Sequence, residues 1–316
     1  MQTQLISPDP EGIARISALL TAGEVVAIPT ETVYGLAGDA RNAVAVARIY
    51  AAKGRPSFNP LIVHLPDLET AERIAVFDAQ SRALAAAFWP GALTMVLPLR
   101  PDAGIASLVT AGLGTVAIRL PAHQAARTLL RAFGGPLAAP SANPSGRISP
   151  TAAAHVADPV TGLGGRIPAV LDAGACPVGV ESTIIGWVAG QPALLRPGGI
   201  AAEDIQAVLG QPLAAPVIDP DMPSAPGQLT SHYAPRASLR LNATSAAADE
   251  VLIGFGDVAG EISLSENGDP VEAASRLFDI LHRADALGRP IAVAPIPETG
   301  LGAAINDRLR RAAAPR

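Results

Sequence analysis

From residue 10 to residue 209 the chain alternates short β-branched runs with longer Ala- and Leu-rich stretches of helical spacing. That alternation leaves few folds open, because the strand runs are apolar on both faces and both have to be covered. "VVAIPT" (25–30), "LIVHL" (61–65), "LTMVLPL" (93–99), "TVAIRL" (115–120) and "PLAAP" (136–140) read as buried strands. Further strands are expected at 169–172, 182–188 and 193–196, and helices at 10–22, 42–52, 79–88, 122–133 and 202–209. Gly23 and Gly54 follow the first two helices and supply their stops. The expected class is α/β, with a twisted open mixed sheet flanked by helices.

The alternation ends at residue 210. Residues 210–236 hold Pro212, Pro216, Pro220, Pro223, Pro226 and Pro235 and no helical period, which reads as an extended linker. A strand (251–255), a helix (271–287), a strand (290–296) and a helix (302–312) then outline a small C-terminal α/β domain. The expected division is a larger unit at 1–209, the linker at 210–236 and a tail domain at 237–316. "MQTQLISPDP" lacks the basic start and apolar run of a signal peptide. No stretch reaches the roughly eighteen apolar residues of a membrane span. A cytoplasmic protein without membrane contact is expected. Cys176 is the only cysteine, which excludes an internal disulfide and a Cys-rich zinc site. It reads as a small buried apolar side chain. A net charge of −5, with no Lys/Arg block, argues against strong direct binding to nucleic acid.

Chemistry concentrates in a few short stretches. In "KGRPSFNPLIVH" (53–64), the prolines disfavour helix at Arg55 and Asn59. An extended segment is expected there, with Lys53, Arg55, Ser57 and Asn59 along one edge. Two cations beside two hydrogen-bonding groups suit a polyphosphate, Lys as a point charge and Arg as a fork of donors. The pattern equally fits Lys53 complementing its helix C-terminus with Arg55 in solvent. "PSANPSG" puts Ser141 and Asn143 just past a buried strand, where open α/β sheets place ligands, or in a plain polar turn. "VESTII" (180–185) sets Glu181, Ser182 and Thr183 at the mouth of another strand. "LLRPGGI" (194–200) ends a strand on Arg196 beside two glycines that would let a phosphate approach the backbone. Arg119 lies inside an apolar strand with no acid near it in sequence, so a bound carboxylate or an acid from elsewhere has to pair with it.

Several chemistries are absent. There is no G-x-x-x-x-G-K-[ST] loop, no G-x-G-x-x-G after a strand and no G-x-S-x-G elbow. His64, His123, His155, His232 and His282 are scattered, with no H-E-x-x-H pair. His64, on an apolar strand, reads as a core histidine.

Taken in order, "PTETVYGL" (29–36), "KGRPSFNPLIVH" (53–64), "FWPGALTMVL" (88–97), "TVAIRLP" (115–121), "PSAN" (140–143), "GVESTII" (179–185) and "LLRPGGI" (194–200) resemble the L-threonylcarbamoyladenylate synthase family, which has the YrdC-type fold. The resemblance spans about residues 10–205; "SHYAPR" (231–236) and "GLGAAINDRLRRAA" (300–313) are similar to its two-domain form. It implies a nucleotidyltransferase that converts L-threonine, bicarbonate and ATP into threonylcarbamoyl-AMP and pyrophosphate. A downstream threonylcarbamoyl transferase complex would then modify tRNA. By motif, Lys53, Arg55, Asn59, Thr115, Ser141, Asn143, Ser149 and Arg196 would line the ATP site, with Lys53 and Arg55 as the catalytic cations. Thr32, His64, Arg119, the Ala139 backbone and Ser182 would surround threonine. His232 and Tyr233 of the linker would cover ATP as a lid; a plain tether is the other reading of that segment. Mg2+ would be held mainly by the ATP phosphates and water. Two rivals remain at this point: a carbamoyl-transfer enzyme of the hydrogenase-maturation type, whose zinc fingers a single cysteine cannot build, and an RNA-binding module, for which no basic-aromatic interleave is present.

Overall fold

The computed structural model describes residues 2–215, 225–227 and 231–315. Within the expected linker, 216–224 and 228–230 lie outside the described residues, and Pro216, Pro220 and Pro223 with them.

Ten strands form one sheet: β1 (Gln4–Ile6), β2 (Val26–Ile28), β3 (Gly35–Asp39), β4 (Ile62–His64), β5 (Leu93–Pro98), β6 (Thr115–Arg119), β7 (Leu137–Ala138), β8 (Ala169–Leu171), β9 (Thr183–Val188) and β10 (Gln191–Arg196). Their order is β1-β8-β2-β3-β7-β4-β6-β5-β9-β10. The sheet is mixed, as expected: β4 runs parallel to β6 and β5 to β9, while β3, β7 and β10 pair antiparallel with their neighbours. The helices in this part are α1 (Pro10–Thr21), α2 (Ala43–Lys53), α3 (Leu68–Ile74), α4 (Ala79–Phe88), α5 (Ser107–Thr110), α6 (Gln124–Phe133), α7 (Ala153–Ala157) and α8 (Ala202–Leu209). Asp9, Asn42 and Asp78 cap α1, α2 and α4 by accepting backbone N–H groups of the first turn.

Strand alternation gives the sheet two faces with different covers. On one, Ala27, Leu36, Val63, Met95, Ile118 and Ala138 join the main core with residues of α2, α4 and α7. On the other, α1 and α6 pack on Val26, Ile28, Leu137 and Ala139. Beyond Ala139 that second face carries Ile62, Val96, Ala117 and Ile184, and Ala225 and Ala214 of the linker pack in the same cluster. No helix of the described residues belongs to that cluster.

The tail forms a parallel sheet of β11 (Leu239–Arg240), β12 (Val251–Gly254), β13 (Ile262–Ser263) and β14 (Ile291–Val293) in the order β11-β14-β12-β13, with α9 (Pro270–Ala286) and α10 (Leu301–Ala313). Its core is not self-contained. Val33, Ile148 and Val180 from the larger part and Tyr233 from the linker belong to the same apolar cluster as Leu277, Phe278 and Leu309. Gly179 shows how close the approach is: a Cβ there would stand 2.3 Å from the Ala274 carbonyl oxygen of α9, and its φ of +76° disfavours any other residue.

Burial holds all five histidines below the ordinary imidazole value, His64 at about 3 and His282 at about 4. The unfolded chain therefore takes up protons below about pH 6.5 that the folded chain refuses. Stability from this source is fully present above that pH and falls as pH drops through it. The midpoint of urea unfolding should be clearly lower at pH 5.5 than at pH 7.5, a window in which exposed carboxylates stay ionised. An equal or higher midpoint at pH 5.5 would show that these imidazoles are not held neutral by burial.

Candidate active site

The turn after β2 starts the site. Thr30 Oγ1 donates to the Val33 carbonyl (2.6 Å) and accepts from the Thr32 and Val33 backbone N–H groups (3.2 Å each), which fixes the direction of Glu31 and Thr32. Arg119, at the end of β6, meets this turn. Its Nη1 donates to Thr32 Oγ1 (2.9 Å), its Nη2 to Glu31 Oε1 (2.6 Å) and its Nε to the Gly91 carbonyl (3.2 Å). The acid expected from elsewhere is thus Glu31, which also accepts the Ala122 N–H at 3.0 Å. Burial raises the Glu31 pKa, but the Arg119 charge and the hydrogen bonds outweigh it and the carboxyl stays below its usual range. His64 lies opposite Arg119 in the β4–β6 register and is buried and neutral. Ser182 Oγ and Thr94 Oγ1 share a hydrogen bond of 2.7 Å.

The cationic end is built differently. α2 ends on Lys53, and Gly54 closes it in the left-handed region at φ +61°. The chain does not then run extended, as the prolines suggest. The Asn59 N–H donates to the Pro56 carbonyl (3.2 Å), closing a turn, and Ser57 points into solvent. Arg55 accounts for the turn, since its Nε and Nη2 donate to the carbonyls of Asn59 (3.2 Å) and Pro60 (2.9 Å) and curl the segment around the guanidinium. Lys53 and Arg55 are 3% and 9% exposed, which removes the solvated alternative. Lys53 Nζ donates to the carbonyls of Ser141 (2.5 Å) and Asn143 (2.6 Å), so the Lys53–Arg55 and Ser141–Asn143 motifs meet in one ammonium group. Burial, with Arg55 adding to it, pushes the Lys53 pKa well below its usual value, and burial brings Arg55 down to about 10.

Arg196, at the end of β10, donates to the Ser182 carbonyl through Nη2 (2.8 Å) and Nε (3.2 Å) and to the Pro226 carbonyl through Nη1 (3.2 Å). The glycines after it do not open the backbone to a ligand. A Cβ on Gly198 would lie 2.4 Å from the Glu181 carbonyl oxygen, so that glycine is required for β10 to pass the 181–183 backbone. Glu181 accepts from Ser149 Oγ (2.5 Å) and from Arg308 Nε of α10 (2.8 Å). Burial raises its pKa; Arg308, Arg196 and the Ser149 hydrogen bond together lower it further.

These groups surround one pocket. Thr32, His64, Arg119, Ala139 and Ser182 line it, as do Arg55, Ser141, Arg196, His232 and Tyr233. Lys53, Asn59, Asn143 and Ser149 stand one or two hydrogen bonds behind its wall. Thr115 does not reach the wall; it starts β6, four residues before Arg119 and on the same side of the strand. Glu31 and Glu181 are the residues that sequence reasoning did not pick as site members, although both stand inside quoted motifs. Cys176 is buried and burial pushes its thiol up to about 12, in keeping with a packing role. Among the described residues, Asn59 Oδ1, Asn143 Oδ1, His232 Nδ1 and Arg308 Nη2 are the buried side-chain polar atoms with no hydrogen-bond partner. All four belong to residues around this pocket. Among the same residues, no three His, Cys, Asp or Glu side chains stand together as a metal site.

Glu31→Gln should lower the stability of the protein by about 3 kcal/mol, because it leaves the Arg119 charge buried without its counter-ion. Chemical denaturation at neutral pH measures this. A loss below about 1 kcal/mol, the range of an exposed pair, would show that the pair is solvated and not buried.

Comparison with known proteins agrees with the motifs. A family model described as "Telomere recombination" (Sua5, YciO and YrdC) matches residues 18–198, and one described as "Threonylcarbamoyl-AMP synthase, C-terminal domain" matches residues 200–314. The threonylcarbamoyl-AMP synthase of Bacillus subtilis is 43% identical, over 98% of this chain and 95% of that protein. That of Pyrococcus abyssi is 39% identical, over 94% of this chain and 93% of that one. The crystal structure of P. abyssi Sua5 complexed with L-threonine superposes with a TM-score of 0.88 at 36% identity, covering 98% of each chain. The chain belongs to the Sua5/YciO/YrdC family of threonylcarbamoyl-AMP synthases, in the form that carries the C-terminal domain.

Proposed function

We propose that this pocket joins L-threonine, bicarbonate and ATP into threonylcarbamoyl-AMP and pyrophosphate, which supplies a threonylcarbamoyl transferase acting on tRNA. The observation that carries the reading is a charge imbalance. Lys53, Arg55 and Arg196 are buried together, and among the described residues none has a carboxylate within ion-pair distance. A buried cation without a counter-charge is costly, and a bound triphosphate supplies that charge.

The neighbouring Arg119–Thr32 corner suits the α-carboxylate and hydroxyl of threonine. The amine of threonine and bicarbonate give an N-carboxy anion and water. An oxygen of that anion attacks the α-phosphorus of ATP, and pyrophosphate leaves with the electron pair of the broken P–O bond. No nucleophilic side chain is needed; the work is positioning and charge stabilisation. Neutral His64 can turn toward the threonine without adding charge. Mg2+ would enter on the phosphates, since Glu181, the carboxylate on the pocket wall, is already held by Ser149 and Arg308.

His232 and Tyr233 line the same pocket and are 6% and 1% exposed, which supports a lid over ATP in preference to a tether. We take 1–209, 210–236 and 237–316 as the catalytic part, lid segment and tail, and the cytoplasm as the site of action. Among the described residues, no helix is long and apolar enough to cross a membrane. The rival readings, carbamoyl transfer in hydrogenase maturation and RNA binding, are not favoured, because the tail matches a threonylcarbamoyl-AMP synthase domain.

Incubation with labelled bicarbonate, threonine and ATP should give pyrophosphate and a labelled adenylate. Lys53→Ala and Arg55→Ala should each slow this about a hundredfold, the loss of one charge-assisted contact in the transition state. Near-native pyrophosphate release by a folded double variant would sink the assignment.

Substrate choice gives a separate check. A pocket that hydrogen-bonds the threonine hydroxyl should reject valine by about 10⁴, but serine only by roughly 10–200-fold. Equal kcat/KM for valine and threonine would mean that Thr32 and Arg119 do not read the side chain.

A further inference from the structure

One guanidinium ties four separate segments of the site together, and it comes from the tail. Arg308 of α10 is fully buried. Its Nε donates to Glu181 Oε2 (2.8 Å), and its Nη1 donates to the Pro197 carbonyl (2.8 Å) and to Asp307 Oδ2 (2.8 Å). Through Glu181 it fixes the Ser149 hydroxyl, and through Pro197 the residue that follows Arg196. Its Cζ lies 5.3 Å from the centre of the Tyr233 ring. One turn further along α10, the Arg311 carbonyl accepts the His232 N–H at 3.2 Å. Both lid residues therefore rest on the last helix of the tail.

The contrast with the other buried cations is informative. Arg119 is paired inside the larger part of the chain, by Glu31. Arg308 is paired across the boundary, 127 positions from Glu181 in sequence. Its Nη2 is one of the four buried polar atoms left without a partner, and the other three belong to Asn59, Asn143 and His232 around the same pocket. Each such atom costs free energy unless a ligand or a neighbour it holds meets it. Nothing in tail packing alone requires a guanidinium here, since apolar neighbours such as Leu309 and Phe278 fill the tail core.

We infer that Arg308 is a positioning residue for the nucleotide end of the pocket, through which α10 of the tail sets Glu181, Ser149 and the His232–Tyr233 lid. The inference rests on the reading above that this pocket binds ATP. The hydrogen-bond partners of Arg308 are Glu181, Pro197 and Asp307 and none of Thr32, His64, Arg119, Ala139 or Ser182, so its effect falls on ATP and the adenylate before threonine.

Arg308→Lys in the full chain tests this. Lysine keeps the charge but is a single point donor and cannot hold Glu181 and the Pro197 carbonyl as a fork does. The expected result is about tenfold weaker ATP binding and an adenylate lost to water about tenfold faster, with threonine affinity within twofold of the unaltered chain. A merely structural role would weaken both ligands together, and that outcome, like unchanged ATP affinity and adenylate lifetime, overturns the inference. A second measurement needs no variant. In the unaltered chain, hydrogen exchange over 301–313 should slow together with that over 231–236 on adding a non-hydrolysable ATP analogue, and not on adding threonine alone. No change in 301–313 with the analogue bound overturns the inference while leaving the reading of the pocket intact. Failure of the unaltered chain to bind the analogue at all overturns both.

Discussion

The structure turns on buried positive charge that, among the described residues, meets no carboxylate within ion-pair distance at one end of the pocket. Among the described residues, five basic side chains other than histidine are buried: Lys53, Arg55, Arg119, Arg196 and Arg308. Two of them meet a buried carboxylate, Arg119 with Glu31 and Arg308 with Glu181. The other three rest on carbonyl oxygens of Ser141, Asn143, Asn59, Pro60, Ser182 and Pro226. Carbonyls orient a cation but do not cancel its charge. The desolvation cost of Lys53 shows in its depressed pKa, and that of Arg55 and Arg196 in theirs. A carboxylate paired directly with one of the three would relieve that cost and would oppose a polyphosphate; Glu181, on the pocket wall, is held by Ser149 and Arg308. The fold accepts the cost instead, offset by cores that occupy both faces of the large sheet.

The two ends of the pocket therefore differ in kind. At the Arg119 end the charge is balanced before any ligand arrives, so a zwitterionic amino acid can bind there through hydrogen bonds without changing the net charge. At the Lys53 end no carboxylate of the described residues stands within ion-pair distance, and a bound anion completes the balance. His232 sits among the unbalanced cations, and burial together with Arg55, Lys53, Arg196 and Arg308 keeps it neutral. A lid residue that protonated there would add to the repulsion it is meant to cover.

Much of this was legible in the sequence, and the illegible parts have physical causes. The strands at 26–28, 62–64, 93–98 and 115–119 stood out because β-branched and apolar runs bounded by turn residues have few other uses. β3, "GLAGD", carried no such signal, since glycine and alanine have weak strand preference and the strand is fixed by pairing with β2 and β7. The Lys53–Arg55 and Ser141–Asn143 motifs were visible as motifs, but their geometry was not. Proline rules read locally gave an extended edge, whereas the Arg55 guanidinium bends the chain onto its own carbonyls. The partners Glu31 and Glu181 lie 88 and 127 positions from Arg119 and Arg308, and no local pattern spans such distances.

The proline-rich segment solves a problem that the sheet creates. α6 covers one face as far as Leu137 and Ala139 and stops, which leaves Ile62, Val96, Ala117 and Ile184 beside the pocket without a helix. Another strand could add to β10 but would extend the edge and leave this face bare. Among the described residues of the linker, the Ala214 N–H donates to the Pro192 carbonyl at that edge at 2.8 Å, and Ala193 and Ala214 form a bridge. Pro212 and Pro216 flank that contact in sequence and have no N–H to continue it. Ala225 then lies on the apolar patch and the Pro226 carbonyl accepts from Arg196. The described parts of the linker are held by contacts with the rest of the chain rather than by a core of their own. Ala225 and the Pro226 carbonyl rest on the sheet side, and His232 and Tyr233 rest on α10 of the tail.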